Sequence, residues 1–202
     1  NERVLQEAAD KTTPPLERMK FLGIFSNNRD EFYRVRVATV RRLIKLGKKA
    51  HHLYGEDPRE LLARLQRKVI EQQTRFEEIY QEVLDVLAKK NVFIINEKEL
   101  LKAQSEFVSQ YFVNELISNL FPIIIDDSKP FPYMKDKASY LFLKLESILP
   151  GKKIKYALIE IPSAPVSRFL MLPPIGNKKY IMIIDDVIRH NTNKIFEVFG
   201  YN

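Results

Sequence analysis

The stretch from Asp57 to Lys90 constrains the fold more than any other part of the chain. Asp57-Pro58-Arg59-Glu60 places an aspartate at the cap, a proline at the first helical position and a glutamate at the third, each a helix-start signal. From there Leu62, Leu65, Val69, Gln72, Phe76, Ile79, Val83 and Val86 recur at steps of three and four residues, the spacing that lines one side of a helix. The run predicts a single helix over 58–90, about 50 Å long at 1.5 Å per residue. Such a seam needs a partner surface. Antiparallel packing against the helices that precede it is the reading; a seam offered to a second chain is the alternative.

Before this rod the chain reads as helical. Residues 1–11 present Val4, Leu5 and Ala8 on one face, and Thr12-Thr13-Pro14-Pro15 ends that segment; a proline then opens the next helix. That helix turns Leu16, Met19, Phe21, Leu22 and Phe25 inward and is expected to stop near Ser26. Residues 48–52, with His51 and His52, read as a basic connection. After Asn91 the texture changes. Val92–Ile95 is a short apolar strand, Asn96 is placed to cap a helix over 98–119, and Leu100, Phe107, Tyr111, Leu116 and Leu120 point inward. Phe121–Ile125 and residues 139–147, 154–161, 168–172 and 180–184 read as strands, parted by Pro150-Gly151, Pro162–Pro165 and Pro173–Gly176. Asp185–Phe199 returns to helix. The expected fold class is α+β: an all-helical domain over 1–91 with a long antiparallel helix, then a mixed, mainly antiparallel domain over 92–202.

Residues 21–45 hold the richest chemistry. Phe21, Leu22, Ile24 and Phe25 lead to Asn27-Asn28, then Asp30 and Glu31, then Arg34, Arg36, Arg41, Arg42 and Lys45. The spacing predicts a new helix capped by Asn28, with Glu31 completing a capping box. Phe32, Val35, Thr39 and Leu43 then share one side, Tyr33, Val37, Val40 and Ile44 lie beside them, and Arg34, Arg41, Lys45 and Lys48 share another. Arg36 is within reach of Asp30 or Glu31.

Composition narrows the function class. The chain has 33 Lys+Arg against 26 Asp+Glu, a formal charge of +7, which favours anionic partners. No cysteine is present, so disulfides and thiolate metal sites are excluded, which is compatible with the cytosol. No apolar run reaches the roughly 20 residues that span a bilayer. The six glycines are scattered and form no phosphate-cradling GxxxxGK[ST] loop.

NERVLQEAAD, LERMKFLGIFSNNRDEFYRVRV, PFPYM and the YALIEIPS…RFLMLPP run resemble, in order and across the whole chain, the amino-terminal part of bacterial polyphosphate kinases of the histidine-phosphorylated type. The resemblance implies an enzyme with a helical N domain, a head domain and two carboxy-terminal domains built like phospholipase D halves. Residues 1–91 then correspond to the N domain, the roof of the nucleotide pocket, and 92–202 to the first part of the head domain, through which these enzymes form homodimers. An ELSWLSF segment is expected before Asn1, and the catalytic domains after Asn202. The implied reaction is reversible transfer of the ATP terminal phosphate to polyphosphate through a phosphohistidine, with magnesium. The nucleophilic histidine and the metal ligands belong to domains outside these residues, so no catalytic or metal residue is expected here, and 1–202 alone should be inactive. His51, His52 and His190 are read as solvated or structural.

The family's ATP-contacting asparagine falls on Asn28. An amide offers donors and an acceptor to an adenine edge or a phosphate oxygen, and a helix N-terminus attracts anions; the competing role is capping alone, about 1 kcal/mol. Arg34, Arg36, Arg41 and Lys45 are candidates for contact with polyphosphate. ATP or ADP, magnesium, polyphosphate and a second copy of the chain are therefore the expected ligands and partners. The expected location is cytoplasmic, with or without membrane association. The rival class is a non-catalytic basic module that binds nucleic acid or another polyanion. Zinc spacings, RNA-binding aromatic motifs and a helix-turn-helix are all missing from the sequence, which argues against nucleic acid.

Overall fold

A computed structural model describes residues 1–47, 56–126, 128–146 and 154–197. The expected basic connection with Lys48, His51 and His52, the Pro150-Gly151 break and the end of the final helix lie outside the described residues. The chain divides into two compact units, Asn1–Lys90 and Asn91–Asn202.

The first unit is helical: α1 (Glu2–Ala9), α2 (Pro15–Phe32), a π turn (Tyr33–Val37), α3 (Ala38–Leu46) and α4 (Pro58–Lys89). Pro14 and Pro15 separate α1 from α2, with Pro15 at the first helical position, where its missing N–H is no loss. The long helix starts as its sequence requires: Asp57 accepts a hydrogen bond from the Arg59 backbone N–H at 2.8 Å. It packs within the unit against α1, α2 and α3. Leu5, Ala8, Leu22, Phe25, Val37, Val40, Leu43, Ile79, Val83 and Leu87 are buried. The seam of α4 is closed mainly over its second half, for Leu62, Leu65 and Val69 stay half-buried.

Two expectations for this unit are corrected. The helix does not stop near Ser26: α2 passes straight through Asn27-Asn28 and continues by way of the π turn into α3. Leu16, expected inside, is 63% exposed, because it sits in the first turn on the outer side of α2.

The second unit contains β1 (Val92–Ile95), α5 (Lys102–Tyr111) extended by a π turn (Phe112–Leu116) and a short 3-10 turn (Ile117–Asn119), then β2 (Ile123–Ile125), β3 (Tyr140–Leu145), β4 (Lys155–Glu160), β5 (Phe169–Ile175), β6 (Lys178–Ile183), α6 (Ile184–His190) and α7 (Thr192–Phe196). Two three-stranded sheets form, ordered β1-β6-β5 and β2-β4-β3. All pairings are antiparallel except β1 with β6, so the α+β class holds. Val108, Phe112, Leu116, Ala157, Ile159, Leu170, Met182 and Phe196 belong to one shared core.

Boundaries moved where local chemistry competed. Asn96 caps no helix; its side chain accepts from the Lys98 N–H while Glu99 reaches back to the Asn96 N–H, closing a turn ahead of α5. Strand β5 runs through Pro173-Pro174, expected as a break, because it is an edge strand, where prolines are tolerated. The hairpin turns instead at Gly176, whose φ of 60° suits glycine. The C-terminal helix is interrupted at Asn191, which donates to the Val187 carbonyl at 2.9 Å.

Candidate functional site

The SNNRDEFYRVR segment lies on one continuous helical rod. Buried or half-buried positions run Leu22, Phe25, Arg29, Phe32, then Val37, Val40, Leu43. The steps are three and four residues except between Phe32 and Val37, where the step is five. A regular α-helix would turn the next apolar residue away from the core by about 100°. The π turn accommodates the extra residue and restores the register. This overturns the predicted faces: Val35, 45% exposed, and Thr39 point outward, and Thr39 Oγ1 donates to the Val35 carbonyl at 2.7 Å.

Asn28 is in the body of α2, exposed, and its amide forms no hydrogen bond among the described residues. It is not an N-cap, and Glu31 closes no capping box. The backbone N–H groups around it are used within the helix, so no helix terminus offers itself to an anion here. The helix continues because the residues beside Asn28 are held from the core side. Arg29 donates to the Gln73 side chain of α4, and its guanidinium stands 5.6 Å from the Phe25 ring centroid and 5.9 Å from that of Phe76. Phe25 and Phe76 stack at 5.6 Å. Arg29 and Gln73 were missed by sequence reasoning, although an arginine four residues after a buried phenylalanine was the available signal.

The basic candidates do not form one stripe. Arg34 pairs with Glu31 at 3.5 Å, the role expected of Arg36. Arg36 is exposed in the π turn. Arg41 and Lys45, four residues apart on α3, are exposed and share a face. The inserted residue of the π turn rotates Arg34 by about 100° away from that face. Arg18, also missed, is a buried cation: it is 3% exposed, its Nε donates to the Ala8 carbonyl at 2.6 Å and its Nη2 to Glu82 at 3.1 Å. At the end of α1, the Thr12 backbone N–H and hydroxyl hold the Asp10 carboxyl below the usual carboxylate range.

In the second unit, His190 lies 2.9 Å from the Ser105 hydroxyl. Burial, then Lys194, pushes its pKa below the ordinary value of 6.5, against an opposing pull from Glu97. Among the described residues no group of three His, Cys, Asp or Glu side chains is placed to hold a metal ion, and no helix is long and apolar enough to cross a membrane.

Two family models match this chain: the polyphosphate kinase N-terminal domain over residues 1–95 and the polyphosphate kinase middle domain over 103–202. The chain belongs to the polyphosphate kinase family. Polyphosphate kinases of Vibrio cholerae and Escherichia coli K12 are 41% and 40% identical to it over 98% of its length. The crystal structure of the polyphosphate kinase from Porphyromonas gingivalis matches all of the chain with a TM-score of 0.84 at 28% identity. The chain spans only 28–29% of the length of these relatives.

Proposed function

We propose that these residues form the nucleotide-roof and dimerisation portion of an enzyme that reversibly transfers the terminal phosphate of ATP to polyphosphate, and that Asn28 contacts the nucleotide. The observation that carries the role of Asn28 is its place inside the continuous α2–α3 rod, exposed and with no hydrogen-bond partner among the described residues. Asparagine in a helix interior costs about 0.5 kcal/mol relative to a good helix former, and here no cap offsets it. Such local inconsistencies gather at functional positions. Its helical neighbours at i−4 and i+3 are Ile24, 47% exposed, and Glu31. An aliphatic neighbour beside a free donor–acceptor group suits the face and edge of a base. Arg29, locked to Gln73 and the two phenylalanines, fixes the rotation of the helix at this point and so orients Asn28.

On this reading the phosphohistidine and the magnesium ligands belong to other domains of the enzyme. His190 is engaged with Ser105, and the described carboxylates do not converge on a metal site; magnesium, when bound elsewhere with ATP, neutralises phosphate charge. Contact with polyphosphate falls to Arg36, Arg41 and Lys45, a reading supported by their exposure, with Arg34 weakened for that role by its pairing with Glu31. Homodimerisation belongs to residues 92–202. Support comes from the faces of the two sheets turned away from the core, where Phe142, Tyr156, Phe169 and Met171 remain exposed. The test is polyphosphate synthesis from ATP by the intact enzyme and by residues 1–202 alone. The intact enzyme is expected to be active and the 202 residues inert; synthesis by the 202 residues contradicts the assignment.

A further inference from the structure

A cleft of about 580 Å³ opens between the α1–α2 turn and the last turns of α4, within the range of ordinary ligand sites. Lys11, Arg18, Lys89 and Lys90 line it together with the carboxylates of Glu82 and Asp85. Glu82 is paired with Arg18 at 3.1 Å, whereas Asp85, which accepts from the neutral Gln81 amide at 3.1 Å, keeps its charge. Arg18 is anchored by two bonds and buried, so it forms a fixed wall.

Lys11, Lys89 and Lys90 are exposed and have no ion-pair partner among the described residues. Of the other surface lysines of this unit, Lys20 pairs with Glu17 and Lys68 with Glu71, while Lys45 does not pair among the described residues. Lys89 and Lys90 stand at the C-terminal end of α4, where the helix dipole favours cations, and Lys11 directly follows the Asp10 cap of α1. Three exposed ammonium groups against the one unpaired carboxylate of Asp85 leave the opening net positive, which suits a ligand with closely spaced negative charges, for which lysine acts as a mobile point charge.

We propose that this cleft is a second binding site for a condensed phosphate chain, apart from the nucleotide surface. Arg18 precedes Asn28 by ten residues on α2, about 15 Å along the axis. The inference rests on the reading of the parent enzyme as a polyphosphate kinase, and it does not depend on the role of Asn28.

The experiment compares the intact enzyme with Lys11→Glu and with the double variant Lys89→Glu/Lys90→Glu. Binding of long-chain polyphosphate is titrated at low and raised salt, and the KM for ATP is measured alongside. Lys11 is outside any helix, so its variant serves even if the double variant misfolds. Each folded variant is expected to lose polyphosphate affinity on the order of tenfold at low salt, with a shallower salt dependence, while the KM for ATP stays put. Unchanged polyphosphate affinity overturns the site, as does an equal loss for ATP, which would assign the cleft to the nucleotide. If Asn28→Ala fails to affect ATP while Lys11→Glu weakens polyphosphate, the nucleotide reading falls and the cleft stands.

Discussion

Two short segments of the helical unit carry nearly the same local signal and fold differently. Asp57-Pro58-Arg59-Glu60 and Asn28-Arg29-Asp30-Glu31 both put a capping side chain three residues ahead of a glutamate. At Asp57 the helix begins and the cap bond forms at 2.8 Å. At Asn28 an existing helix passes through. The difference lies in what stands beside the signal. Pro58 cannot donate to a preceding helical turn and biases the residue before it away from helical backbone, so a boundary is enforced. Nothing near Asn28 enforces one, and Phe25 before it and Arg29 after it bind the rod to Phe76 and Gln73 of α4. A capping residue marks a helix start only where something also ends the previous helix.

The sharpest way to break this comparison is Asn28→Pro. In a continuous helix it removes a backbone hydrogen bond and should destabilise the fold by about 3 kcal/mol or more, read from urea unfolding; a loss under about 1 kcal/mol would restore the boundary at Asn28. Next in size is the register set by the π turn. Val37→Ala, at a buried position, should cost about 2 kcal/mol, whereas Val35→Ala should stay within about 0.5 kcal/mol; equal losses would contradict the five-residue step. Asp57→Ala should cost about 1 kcal/mol through its lost cap, while Asn28→Ala should be neutral or slightly stabilising, both visible in thermal melts.

The smallest effect concerns the second unit, where Asn96 and Glu99 repeat the capping pattern but close only a turn ahead of α5. The pKa of His190 is lower folded than its ordinary value of 6.5, so the unfolded chain takes up its proton first as pH falls. The stability linked to a neutral His190 is present above pH 6.5 and is lost as pH drops through the lower folded value. His190→Asn should flatten the stability–pH curve across that window. An unchanged slope would remove His190 from the account.

Long periodic elements were legible in the sequence because their pattern and their caps agree. The rod α4 lies over 58–89 against an expected 58–90, and the α+β change after Asn91 was plain from the β-branched run. The joined α2–α3 rod was not legible, because its apolar period contains a five-residue step that no regular template allows. The same slip mixed up the basic face: Arg41 and Lys45 stay together, whereas Arg34 turns to Glu31. Arg18 and Arg29 were missed since burial of an arginine depends on partners far along the chain, Glu82 and Gln73. Asn28 stands out in the sequence as a cap, which the structure does not bear out, and the resemblance alone gives it a nucleotide.

The central claim is that Asn28 is kept for a ligand and contributes nothing to holding the helix. The direct test is the KM for ATP of the intact enzyme carrying Asn28→Ala, with its unfolding midpoint measured on the same preparation. The account predicts a KM raised on the order of tenfold, the equivalent of about one hydrogen bond to a charged or polar group, with the midpoint unchanged. An unaltered KM, or a fall in stability that matches the loss of ATP binding, would contradict it.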